Sequence, residues 1–326
     1  MSRSKPERTR KSAPLNWRRL LPPRALVTSA MVGALGLAAL AGFVFGEAPL
    51  KRLVAERRAG PIQFSIEWPP LAGDARRTWL PESTRREITA AAVGRLSPDP
   101  FDQRSLDDAR DALLRTGWFS AVTSVRRRPD NRVIVEAEWR TPKAVVRWDG
   151  KDHVVAAGGE LLPIVYPSGG AGAMHIIEGV SSAPPTRAGP GGAEEPAYGV
   201  AWVGGEVQAA LALLRTLDAR FHHTGVWTQV AGIDVSRFQR SGTLAIVSDT
   251  GSRVIWGGAP GVIVPGEQST EQKLQRLARL AKGPTGRIDA NEKLVEIHGA
   301  HVFIDQSAAP APGPAGPASA RVPVGG

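Results

Sequence analysis

Between Ala25 and Gly46 the chain runs ALVTSAMVGALGLAALAGFVFG, twenty-two residues without a charge. Wound as an α-helix, such a run is about 33 Å long, enough to cross a hydrocarbon core of about 30 Å. In lipid every backbone N–H and C=O must be bonded within the segment, so a lone apolar run of this kind can only be helical. The competing reading is a cleaved secretory signal. Signal peptides carry an apolar region of about 7–15 residues. The nearest small-x-small site here, Gly46-Glu47-Ala48, is followed at once by Pro49. Residues 25–46 are therefore expected to remain as a transmembrane helix.

Orientation follows from the flanks. The twenty residues before the run carry seven Lys/Arg, and the twenty after it carry four, Lys51, Arg52, Arg57 and Arg58. Positive charge is retained on the cytoplasmic side. Residues 1–24 then form a basic cytoplasmic tail, and the bulk of the chain lies in the periplasm, held at the inner membrane. Ala34, Ala38, Gly42 and Gly46 recur every four residues and line one helix face, where small side chains allow a second membrane helix to approach. Small residues are also simply common in such helices.

The net charge of +10 raises the question of nucleic acid, but much of the surplus sits in the first 24 residues. A basic tail beside an apolar run reads as a topogenic, lipid-contacting segment, and no zinc-finger or RNA-recognition signature accompanies it. No nucleic-acid partner is expected. Cysteine is absent, which excludes disulfides, Cys-based zinc sites and a thiol nucleophile.

After a connector over 47–60, Ile62, Phe64, Ile66 and Trp68 alternate with polar residues, the period of a half-buried strand. Residues 69–81 read as a loop. A helix is expected to start near Thr84, capped with Glu87, and to bury Ile88, Ala91 and Ala92. A second, over 103–116, buries Leu106, Ala109 and Leu113, with Gly117 at its C-terminal end. Two strands follow, 118–128 and 133–139, joined through Pro129-Asp130-Asn131. The order strand, helix, helix, strand, strand makes an α+β unit over 61–141.

Residues 142–305 read as a second, mostly antiparallel β-domain with two helices. Three short strands lie between 143 and 165, separated by Asp149-Gly150 and Gly158-Gly159, and 174–180 adds another. Residues 181–199 are Gly/Pro/Ser-rich and are expected to be a flexible insertion. The first helix carries Val207, Ala210, Leu211, Leu214 and Leu217 at helical spacing. Residues 226–235 and 244–256 read as strands, the latter turning at 249–252. The second helix opens on a Ser269/Gln272 capping box, buries Leu274, Leu277 and Leu280, and stops at Gly283-Pro284. Leu294–Ile304 closes the domain as a strand and a partial return, and 306–326 is a disordered Ala/Pro/Gly tail.

The segment LLRTGWFSAVTSVRRRPDNRVIVEAEWRTP resembles a POTRA domain. With a single membrane segment before it and TPKAVVRWDGKDHVVAAGGELL after it, the chain resembles the FtsQ/DivIB family of bacterial cell-division proteins over most of 61–305. It departs from that family at 69–81 and in the insertion 181–199.

No catalytic signature is visible: no phosphate-binding Gly-x-x-x-x-Gly-Lys, no His-Glu-x-x-His and no Gly-x-Ser-x-Gly. His153, His175, His222, His223, His298 and His301 read as loop or surface histidines, and His222 and His223, as neighbours on a strand, would point apart. Trp118, Trp139, Trp148, Trp202, Trp227 and Trp256 fall in or beside strands and read as packing residues rather than a sugar-stacking site. No metal, cofactor or catalytic residue is expected.

What remains is binding by strand addition, in which a free sheet edge accepts a partner's strand. The resemblance implies a non-enzymatic divisome scaffold at the division septum, whose C-terminal strand region docks small single-pass partners of the FtsB/FtsL kind. Val295, Glu296, Ile297 and His298 stand in the matching strand, with Val302 and Phe303 just beyond. The alternatives are that Val295 and Ile297 face the core, and that the POTRA unit belongs to an envelope-protein assembly or secretion factor.

Overall fold

The computed structural model describes residues 31–37, 62–71 and 73–304. Backbone contacts divide the chain into two units, one comprising 1–62, 97–102 and 129–131, the other everything else. In the first, 31–37 form a helical stretch (α1), exposed throughout and including Ala34. The rest of the apolar run, with Ala38, Gly42 and Gly46, lies outside the described residues, as do the basic tail, the connector 47–60 and the tail 306–326. Among the described residues no helix is long and apolar enough to cross a membrane.

The second unit is α+β with mixed sheets. A three-stranded sheet has the order β1(Gln63–Ile66)–β5(Arg132–Trp139)–β4(Phe119–Arg127), β1 parallel to β5 and β4 antiparallel to it. Helices α2 (Glu82–Val93) and α3 (Gln103–Arg115) bury Ile88, Ala92 and Leu113 with Phe119, Val122 and Val135. Aromatic rings fill the gaps: Phe119 lies 4.3 Å from Trp139, Trp68 5.7 Å from Trp139, and Trp79 5.8 Å from Trp118. Trp139 satisfies its indole N–H by donating to the Glu67 carbonyl at 3.0 Å.

Two local expectations change here. Residues 69–81 hold a small hairpin, β2 (Pro70–Leu71) with β3 (Asp74–Thr78), instead of a plain loop. The first helix begins at Glu82, two residues before the expected start, so the Thr84/Glu87 capping box does not form. Pro81 stands at its N-cap with φ −57°, and Glu82 puts a negative charge in the first turn, where the helix dipole favours it.

The larger sheet has nine strands in the order β16–β15–β14–β13–β12–β9–β6–β7–β8. These are β6 (Pro142–Trp148), β7 (Lys151–Ala156), β8 (Leu161–Pro167), β9 (His175–Glu178), β12 (Val230–Asp234), β13 (Leu244–Ser248), β14 (Arg253–Gly257), β15 (Leu294–Glu296) and β16 (Phe303–Ile304). Pairing is parallel for β6/β9, β9/β12 and β14/β15, and antiparallel elsewhere. Strand alternation sorts β6: Ala144 and Val146 join the core under α4 (Glu206–Phe221) and α7 (Thr270–Lys282), and Val145 joins a smaller cluster with Val154 and Leu162. Only glycine fits at 232, where an added Cβ would stand 2.0 Å from the Ile176 carbonyl oxygen.

The Ser269/Gln272 capping box is present, and Val207, Ala210, Leu211, Leu214 and Leu217 are all buried. Residues 226–235 are not one strand. Gly225–Thr228 forms a helical turn (α5) before β12 starts at Val230. Nor is 181–199 a loose insertion along its length. It contains a hairpin, β10 (Thr186–Ala188) with β11 (Glu194–Pro196), whose base is tied by the Ala197 N–H to the Pro185 carbonyl. Glu206, fully buried, holds its beginning by accepting from the Ser181 and Ser182 N–H groups at 2.7 and 3.2 Å.

A candidate partner-binding edge

The nine-stranded sheet has two edges, and they are built differently. At β8, Pro163 and Pro167 have no N–H to offer, and the Leu161 N–H already donates to the Val200 carbonyl. At the far side, among the described residues, β16 is outermost and bonded to β15 alone, with Val295 opposite Ile304 and Glu296 opposite Phe303. Strand β15 is therefore enclosed between β14 and β16, and the return strand carries the free edge.

That placement sorts the six sequence-predicted residues. Val295 and Ile297 are fully buried in the core beneath α7 and cannot meet a partner. Glu296 and His298 are half-buried, while Val302 and Phe303 are exposed, Phe303 at 58%. Glu296 and Phe303 are brought together across the β15/β16 register, and with Val302 they form the accessible part of the set.

The edge is held from below by residues that sequence reasoning missed. The Arg276 guanidinium, on α7, donates to the Ile297 carbonyl at 2.9 Å and to the Ala300 carbonyl at 2.7 Å, and also to that of Gly299. It thereby pins the turn between β15 and β16. The His298 carbonyl accepts from the Gln268 N–H at 2.8 Å. Beside β16, a recess of about 380 Å³ is lined by Leu280, Pro284, Ala290, Val302 and Ile304, with Arg276 and Arg279 among its walls.

One wall of the recess, 283–290, is fixed by Asp289, which is fully buried. Asp289 accepts from the Arg287 guanidinium at 3.1 Å, the Asn291 N–H at 3.0 Å and the Thr250 hydroxyl at 2.8 Å. Burial pushes its carboxyl up, but these donors outweigh burial and hold it at about 2. The ion-paired loop thus stays in place across neutral pH.

His222 and His223 lie past the end of α4, not on a strand, and their rings come within 4.6 Å, so the expectation that they point apart fails. His222 Nδ1 instead meets Asp218 at 2.5 Å. Among the described residues no three His, Asp or Glu side chains gather in a way that could hold a metal ion. Trp118, Trp202 and Trp256 are buried, and Trp139, Trp148 and Trp227 are half-buried.

A free edge beside a side-chain recess can accept an extended segment through main-chain bonds while the recess selects a residue of it. Compared with known proteins, the chain matches no family model, and no curated protein is significantly similar to it.

Proposed function

We propose that this chain is a non-enzymatic scaffold of bacterial cell division, anchored in the inner membrane through 25–46, that binds a partner's extended segment at β16. The strand–helix–helix–strand–strand unit over 61–141 is read as a POTRA domain, and 142–305 as the β-domain of the FtsQ/DivIB family. The observation that carries the reading is the asymmetry of the large sheet: one edge lacks donors at two prolines, and the other, among the described residues, is free, carries exposed Val302 and Phe303, and borders an apolar recess. Single-pass division proteins of the FtsB/FtsL kind are the proposed partners.

Two measurements test this. A photoreactive residue at position 302 in the full-length protein in cells should crosslink to a small single-pass division protein, and adding Phe303→Asp, at an exposed site, should abolish the adduct without changing the amount of protein. Depletion should block septation. Normal septation after complete depletion, or adducts exclusively with unfolded outer-membrane proteins, would overturn the division reading in favour of an envelope-assembly role.

A further inference from the structure

On the α4 side of the large sheet, remote in sequence from β15 and β16, lies a cleft of about 160 Å³. Its apolar walls are Leu211 and Leu214 of α4, Ala157 after β7, and Trp227 of α5. His175, at the start of β9, meets Trp227 edge-on at 4.3 Å. The rim carries Lys143 and Arg215, both exposed and, among the described residues, neither ion-paired. The carboxylate that lines the cleft, Asp218, is already engaged by His222 at 2.5 Å. The two cations outnumber this one carboxylate, so the balance at the mouth of the apolar cavity is positive.

Size and charge together select the occupant. Pockets for drug-sized ligands are about 300–1,000 Å³. This cleft is roughly half the lower bound, too small for a peptide segment or a sugar chain and suited to a handful of non-hydrogen atoms. We propose that it is a binding site for a small amphipathic anion, with an apolar body between α4 and Trp227 and a single carboxylate at Lys143 and Arg215. A carboxylate suits these two cations, since guanidinium donates in a fork and ammonium as a point charge. The site does not depend on the division reading, because no residue of β16 or its recess takes part.

The test uses the full chain in lipid nanodiscs with sodium hexanoate as probe, hexan-1-ol as its uncharged counterpart, and empty nanodiscs subtracted. The indole N–H resonance of Trp227, assigned by its loss in Trp227→Phe, should shift saturably at millimolar hexanoate. The Lys143→Ala/Arg215→Ala variant, which removes two exposed and unpaired side chains, should weaken hexanoate at least tenfold and leave hexan-1-ol unchanged. Lys143→Arg/Arg215→Lys should restore hexanoate binding. Equal hexanoate affinity in wild type and the double-alanine variant would overturn the proposal. So would a Trp227 resonance that does not move.

Discussion

Both sheets pack an apolar core, but they differ in where their charged groups sit. The three-stranded sheet rests on packed rings and aliphatic side chains, and the Arg126–Glu136 ion pair on its face, at 2.9 Å, lies in solvent at 69% and 55% exposure. The nine-stranded sheet, above its own apolar core, has its loops fixed by buried carboxylates. Glu206 accepts from Ser181, Ser182 and Gln239; Asp152 from Arg147 and the Gly169 N–H; Asp234 from Arg253 and Ser236; Asp289 from Arg287, Asn291 and Thr250. Burial raises each carboxyl, and in every case the donors outweigh it and leave the group below its ordinary value. The carboxylates act where the chain of the large sheet makes an excursion: Glu206 ties down the start of 181–199 at the Ser181 and Ser182 N–H groups.

The comparison is most exposed to a core truncation. Phe119→Ala should cost about 3–5 kcal/mol, read from the urea midpoint, because a fully buried ring leaves a cavity among Trp139, Ile88 and Val122. A loss well below that would mean that rings do not dominate this core.

Acid should act on the other region. Asp289 titrates at about 2 in the folded chain, below the ordinary carboxylate value of about 4. Its folded value is depressed, so its contribution is complete above about pH 4 and is lost as pH falls from about 4 towards about 2. That contribution is on the order of 2 kcal/mol. Amide exchange followed by NMR should show protection falling first around 249–291, and Asp289→Asn should flatten this acid limb. Uniform loss across both sheets would break the contrast. The smallest effect belongs to Arg126→Ala, which should leave the urea midpoint in place because the pair it breaks is solvent-screened.

Local, periodic features were legible in the sequence. The Ser269/Gln272 box, the buried stripe of α4 and the turn at 249–252 needed only nearest-neighbour rules. Features without a side-chain signal were misread. Pro81 caps α2 by conformation alone, and Val226 and Trp227 have strand-like side chains yet wind into a helical turn, where the Trp227 N–H donates to the Thr224 carbonyl. The candidate site was half visible. Which of Val295, Glu296, Ile297, Val302 and Phe303 faces outward depends on strand order, a non-local property, and so does the grip of Arg276 on carbonyls more than twenty positions away.

The two prolines in β8 also limit self-association. A ribbon that grows by edge pairing needs an acceptor border at each end of every subunit, and the large sheet has one to give. Within this sheet, copies meeting through β16 would close as a symmetric pair. Pairing through that border stops at two instead of running on into a fibre.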